Sequence, residues 1–201
     1  VIADGGHFVP RNRLIGEPLD WLDRHLGPVR QHRRHDMHEG GRMTEKSFTF
    51  SPIGVVRSPF TESSQIPKGV GTRNDAEGVL ELDPALEPGL TDIDGFSHLY
   101  VLWIFDRSTD WDLIAHPPVD EKRPHGVFAT RSPRRPNPIA LTVVRLLRRD
   151  GHRLHVRGVD MLDGSPIVDL KPYLSSVAPE ELRRGWVAQA EARQGGGAIP
   201  G

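Results

Sequence analysis

Between Phe48 and Tyr173 the apolar residues recur in short runs at strand spacing, punctuated by turn residues, and helical periodicity is nearly absent. Phe48, Phe50, Ile53 and Val55 predict an opening strand whose alternation breaks at Pro52, and Val79-Leu80-Glu81-Leu82 a second, bounded by Gly78 and Asp83-Pro84. His98 to Phe105 is almost wholly apolar and reads as a strand covered on both faces. Ile139 to Leu147 and Leu154 to Met161 flank Arg149-Asp150-Gly151, a strong hairpin signal, and Ile167 to Leu170 predicts a last short strand. Helical expectations are a turn near Ala85 to Glu87 and a segment from Pro179 to Ala192, with Glu180 and Glu181 in its first turn. Many short strands without intervening helices predict an all-β fold, a barrel or a sandwich.

The flanks read differently. Residues 1 to 42 hold half of the ten histidines and no lysine, and their only periodic feature is Ile15, Leu19, Leu22 and Leu26 at helical spacing. Met43-Thr44-Glu45-Lys46 reads as a natural start, so 1–42 is expected to be an extension outside the fold, 43–178 the domain, and 179–201 a helix with a flexible tail. His32, His35 and His38 lack a fixed geometry, and no metal site is expected of them.

Composition narrows the class. The chain of 201 residues allows one domain or at most two, and with 36% apolar residues a core suffices only if the flanks stay outside it. It has no cysteine, which excludes disulfides, thiolate zinc sites and a cysteine nucleophile. The longest apolar stretch, Leu99 to Phe105, is far below the ~20 residues that cross a bilayer, and the first residues lack the layout of a secretory signal. A soluble, cytoplasmic protein without membrane association is the expectation.

Net charge is −1, but it is unevenly spread. Asp75 to Asp120 holds eleven acids and one base, Arg107; Glu121 to Arg149 holds eight bases and one acid. The basic block is either a solvated face or a wall turned toward a phosphate backbone. No G-x-G-x-x-G turn, P-loop, H-E-x-x-H or G-x-S-x-G occurs, so a nucleotide cofactor would not be held in the Rossmann manner. Ser132 and Ser165 sit beside prolines and read as turn hydroxyls.

The most unusual passage is His125-Gly126-Val127-Phe128-Ala129-Thr130-Arg131-Ser132-Pro133-Arg134-Arg135-Pro136-Asn137-Pro138. Its prolines fix φ and push Ser132, Arg135 and Asn137 toward extended backbone, leaving the arginines little backbone entropy to lose. Guanidinium groups so held suit carboxylate or phosphate, or simply stack on neighbours in a rigid crossover.

This passage resembles the signature of the TrmO (TsaA-like; YaeB, VirR) family of tRNA adenosine N6-methyltransferases: G-V-F-A-T-R-S, two variable residues, then R-P-N-P-I. A second family block, D-G-(S/T)-P-(I/V)-V-D-(I/L)-K-P-Y-L, is similar to Asp163 to Leu174 without a gap. Weaker echoes are Ile53 to Phe60 and Gly95 to Leu99, and the resemblance covers roughly Phe48 to Tyr173. It implies a small antiparallel β-barrel with short flanking helices that binds S-adenosyl-L-methionine, forms a homodimer with the cofactor near the subunit contact, and methylates N6 of threonylcarbamoyl-adenosine beside the tRNA anticodon. Bacterial members continue into a second, smaller domain, whereas 28 residues follow Tyr173 here, so either the barrel alone grips the RNA through its basic wall or this is a methyltransferase of the same family with a different substrate.

Carried over by position, the resemblance implies cofactor contacts at Val70, Gly71 and Thr72, at Asp106 and Arg107, at Arg131 and Leu141, and at Gly158, Val159, Asp160 and Met161. Asp169, Lys171 and Tyr173 form a polar cluster in the second block and are candidates for removing the proton from the target nitrogen. Arg134, at a variable motif position, with Lys122 and Arg123, is expected to meet RNA. The rival from another class is a non-catalytic RNA-binding barrel, which would show exposed aromatic rings along a strand face instead of a cofactor pocket beside Arg131.

Deleting residues 1 to 42 is expected to leave the melting temperature nearly unchanged, since the core pattern before Met43 is weak. A large loss in thermal denaturation would mean that Ile15 to Leu26 docks on the domain.

Overall fold

A computed structural model describes residues 48–67, 74–174 and 184–194. The strands in chain order are β1 (Gly54–Arg57), β2 (Glu77–Leu82), β3 (His98–Ile104), β4 (Ile114–Ala115), β5 (His125–Gly126), β6 (Ile139–Asp150), β7 (Arg153–Arg157) and β8 (Pro166–Pro172), followed by helix α1 (Trp186–Gln194). Six of them close into an antiparallel barrel in the order β1-β2-β7-β6-β3-β8, and β4 and β5 form a separate small ribbon. Closure rests on β1 against β8, where Gly54 faces Ile167 and Val55 faces Pro166.

Alternation places the core. Leu99, Val101 and Trp103 of β3 and Ala140, Thr142 and Val144 of β6 point inward, meeting Leu80, Leu154, Val156, Met161 and Ile167. An interior this small is filled by side chains alone. The expected hairpin is β6–β7, turned at Gly151 with φ +58°. The turn expected near Ala85 is a 3-10 segment, Pro84–Leu90, capped by Asp83, whose carboxylate accepts from the Ala85 amide at 2.9 Å.

The differences from expectation have local causes. The opening strand starts only at Gly54, and Phe48 and Phe50 are exposed, because Pro52 offers no amide for a ladder. β3 is not covered on both faces: its residues alternate between buried and half-buried, as one wall of a closed barrel requires. β7 ends at Arg157 and not at Met161. Gly158 takes φ +96° and, with Val159, donates to the Ala76 carbonyl at 2.8 and 3.2 Å, turning the chain off the ladder. The β4–β5 ribbon was not anticipated, since each strand has two residues and Pro117-Pro118 ends one of them. Of the helix expected over Pro179 to Ala192, residues 184–194 are described and hold α1, and Val70, Gly71 and Thr72 lie outside the described residues.

β1 crosses β2 so closely that a methyl group on Gly54 would stand 2.7 Å from the Leu82 Cα. Gly54→Ala is therefore expected to destabilise the domain by about 1–3 kcal/mol, read by denaturant unfolding, because backbone rather than a mobile side chain would have to move.

Candidate functional site

The signature passage folds into a loop anchored at both ends. Val127 is buried and its amide donates to the Leu113 carbonyl at 2.9 Å; the Thr130 amide and hydroxyl both return to the Val127 carbonyl, at 3.1 and 2.8 Å. Arg135 turns back over this turn, its guanidinium donating to the Val127 and Thr130 carbonyls at 3.4 Å each. The Ser108 hydroxyl donates to the Pro133 carbonyl at 3.0 Å, tying the loop to the segment after β3. Arg131 and Arg134 then face a cleft of about 1130 Å³ between the loop and the barrel rim. Its other walls are Phe105 to Asp110, Ile139 to Thr142, Asp160, Leu162, Ser165 and residues 61–64.

A chain of hydrogen bonds runs from the barrel interior to this cleft. The Trp103 indole N–H donates to the Thr142 hydroxyl oxygen at 3.0 Å. An indole nitrogen only donates, so the Thr142 proton is left to point at Asp160 Oδ1, 2.6 Å away. Burial pushes the Asp160 carboxyl above its ordinary range, against the Thr142 hydrogen bond and the positive charge of Arg131. Burial likewise raises Asp106, opposed by the neighbouring Arg107. Arg107 spans the cleft floor, donating to the Asp163 carbonyl at 2.7 Å and the Thr61 carbonyl at 3.4 Å. The site thus pairs two partly desolvated carboxylates and an arginine with the apolar side chains of Phe105, Leu141 and Leu162.

Residues 55–178 match the family described as the tRNA-methyltransferase O N-terminal domain. The chain belongs to this family. It is 43% identical over 139 residues to a probable S-adenosyl-L-methionine-binding protein of Pyrococcus abyssi, covering 69% of this chain and 75% of that one. To the tRNA (adenine(37)-N6)-methyltransferase of Escherichia coli it is 37% identical over 137 residues, 64% of this chain and 58% of that one. A crystal structure of TrmO from Pseudomonas aeruginosa superposes with a TM-score of 0.57 at 35% identity, covering 70% of this chain and 62% of that one. The chain thus spans about three-fifths of the length of these last two relatives.

Of the residues singled out from the TrmO-like motifs, the fold brings Asp106, Arg107, Arg131, Arg134, Leu141 and Asp160 to this one cleft. Val159 and Met161 are fully buried in the core on either side of Asp160. Asp169, Lys171 and Tyr173 do not line it. Asp169 and Lys171 form an exposed ion pair at 2.7 Å beside a smaller groove with Leu86 and Phe96, and Tyr173 packs on Tyr100 with ring centres 5.0 Å apart. Lys122 and Arg123 are exposed on the turn after Pro118–Asp120, outside the cleft. Thr142 and Trp103 escaped the motif reading. The available signal was a threonine at an inward position of a strand, which needs a partner.

Since Asp160 takes up a proton more readily folded than unfolded, the folded form loses stability as pH rises through the interval from the ordinary carboxylate range to the raised one. Asp160→Asn is expected to raise the melting temperature of the ligand-free protein at neutral pH, with the gain vanishing toward pH 3; Asn Oδ1 still accepts from Thr142. Thermal denaturation across pH checks it, and an Asn variant less stable at pH 8 would contradict it.

Proposed function

We propose that the chain is an S-adenosylmethionine-dependent methyltransferase whose domain, residues 43–178, acts on tRNA at N6 of an adenosine, the threonylcarbamoyl-adenosine beside the anticodon. The carrying observation is the cleft whose lining brings the signature arginine Arg131 together with Asp160 and Asp106 among the apolar side chains of Phe105, Leu141 and Leu162. Its volume suits a ligand of nucleoside size, and its donor set suits this one. Arg131 would hold the carboxylate, Asp106 and Asp160 the ammonium or ribose diol, and backbone near Val159 to Met161 the adenine edge. When bound, the cofactor supplies a methyl group on a sulfonium that carries its own leaving group. The protein's work is then placement and exclusion of water, for which Phe105, Leu141 and Leu162 supply the apolar walls and the stiff loop the alignment. Asp169, Lys171 and Tyr173 lie on the β8 flank, so a part in proton removal requires substrate or a second subunit to reach from the cleft to that flank.

In this reading RNA is met through its phosphate backbone by exposed cations, Arg134 at the cleft and Lys122 and Arg123 on the turn after Pro118–Asp120. The exposed aromatic rings Phe48, Phe50, Phe96, Phe128 and Tyr173 form no row along one strand, which weighs against a pure base-stacking module. A homodimer is part of this reading. Ile139, Leu141 and Val143 make an exposed apolar stripe on the outer face of β6, continuous with the cleft through Ile139 and Leu141, and a second copy would cover it. A cytoplasmic location follows from the substrate.

The test is binding and transfer. S-Adenosylmethionine and its demethylated product are each expected to raise the melting temperature, by the equivalent of about 2.7 kcal/mol at a hundredfold excess over the dissociation constant. Arg131→Ala should remove about 1.5–3 kcal/mol of that affinity through a lost charge-assisted hydrogen bond. Nucleoside mass spectrometry of tRNA incubated with protein and cofactor reads the product. No thermal shift at millimolar ligand would overturn the reading.

A further inference from the structure

Helix α1 lies beyond residue 178, where the match to the family domain ends, yet it is built onto that domain's signature loop. Trp186, Ala190 and Arg193 follow one another at four and three residues, so they share a helix face. The Trp186 ring stacks on the His125 ring, with centroids 3.9 Å apart and planes 23° apart. Its indole N–H donates to the Ala129 carbonyl at 2.8 Å. Ala190 is buried, its small side chain letting the helix lie close. At the far end Arg193 donates to Asp120 Oδ2 at 2.6 Å, the oxygen that also meets His125 Nε2 at 3.2 Å. The Asp120 side chain, 10% exposed, thereby joins helix and loop. The remaining ion pair of the helix, Arg184 with Glu191 at 2.7 Å, stays within the segment.

The place of these contacts along the loop matters. The three prolines at 133, 136 and 138 stiffen the part after Arg131, and Val127 anchors the start. Phe128 to Arg131 has no proline, and it is here that Trp186 takes hold, at the carbonyl two residues before Arg131. We propose that Trp186 is a positioning residue for the cofactor site: together with the Asp120–Arg193 clasp it latches α1 onto the loop and holds Arg131 toward Asp160. The inference rests on the cleft being the S-adenosylmethionine site. Loosening the latch lowers the fraction of molecules whose loop is competent, and the apparent dissociation constant rises by the inverse of that fraction.

The experiment uses the full chain with Trp186→Ala, Trp186→Phe (which keeps a ring for His125 but loses the N–H), Arg193→Gln, and Arg184→Gln as a control on a contact that does not reach the loop. S-Adenosylmethionine affinity is measured by calorimetry well below each variant's melting temperature, with steady-state kinetics beside it. The latch requires a roughly tenfold or greater loss of affinity in Trp186→Ala and Arg193→Gln and a smaller loss in Trp186→Phe. KM for the cofactor should rise while kcat at saturation stays close to wild type, and Arg184→Gln should bind normally. Hydrogen exchange supplies a readout independent of the cofactor: the Thr130 amide, bonded to the Val127 carbonyl, should exchange faster in Trp186→Ala. Wild-type affinity and unchanged Thr130 exchange in Trp186→Ala overturn the latch, as does an equal loss in Arg184→Gln, which would mean general helix stability. If the wild-type protein itself fails to bind the cofactor, the functional reading falls, and Thr130 exchange alone decides whether the latch exists.

Discussion

A closed six-stranded barrel has no room for water inside, so any polar side chain turned inward must find its partners among its neighbours. On the barrel strands this constraint falls on Thr142, 6% exposed. In the β3–β6 register Thr142 faces Val101 and Ala140 faces Trp103, which makes Trp103 the diagonal neighbour of Thr142. The indole fills the acceptor role of the hydroxyl and thereby forces its proton outward, to Asp160. A valine at 142 would fill the same volume, but it would strand the indole N–H and leave Asp160 without its donor. The orientation of the cleft carboxylate is in this way a consequence of strand register.

That orientation carries a cost, which the raised Asp160 carboxyl records: burial in the barrel wall penalises its charged form. The compensating charge comes from across the cleft, from Arg131, and only a loop with few alternatives can keep it there. Three restraints converge on that loop. The prolines restrict its backbone, Arg135 spends its guanidinium on the loop's own carbonyls, and α1 closes over Ala129. Arg135 and Arg131, four residues apart in one basic passage, are therefore chemically unlike. One is internal scaffolding, the other faces a carboxylate and an open volume.

Much of this was visible in the residue pattern. Alternation located four of the six barrel strands closely and the other two with shifted ends, and the family resemblance marked Asp106, Arg131 and Asp160, which the fold brings to one cleft. Closure was not visible, because Gly54 and Ile167 are far apart in the chain and each lies in a short, unremarkable run. Charge was misleading in a specific way. The acids of the first block do not stay a bare negative segment: β2 pairs with β7, so Glu77 meets Arg157 and Glu81 meets Arg153, cations that lie beyond the basic block, with Arg57 joining from β1. Arg149, in the basic block, is taken up by Glu87. Arg135 is spent on the loop's own carbonyls, so the cations left to shape a phosphate-facing wall are fewer than the eight that composition counts, and they include Arg145 and Arg148 on β6 as well as those of the loop and its approach.

The helix shows why a weak pattern can conceal a strong contact. Trp186, Ala190 and Arg193 have the spacing of a docking face, but one small apolar residue between a tryptophan and an arginine does not stand out against a polar background. Its docking does not depend on burying a broad apolar stripe. It depends on a ring stacked on His125, one indole hydrogen bond and one carboxylate shared between Arg193 and His125, contacts that join the helix to residues at least 57 positions distant. Directional contacts of this kind fix a loop's position more sharply than an equal area of aliphatic packing, because they fail once the partner shifts by an ångström or so. A site that must hold one arginine against one carboxylate has use for that property.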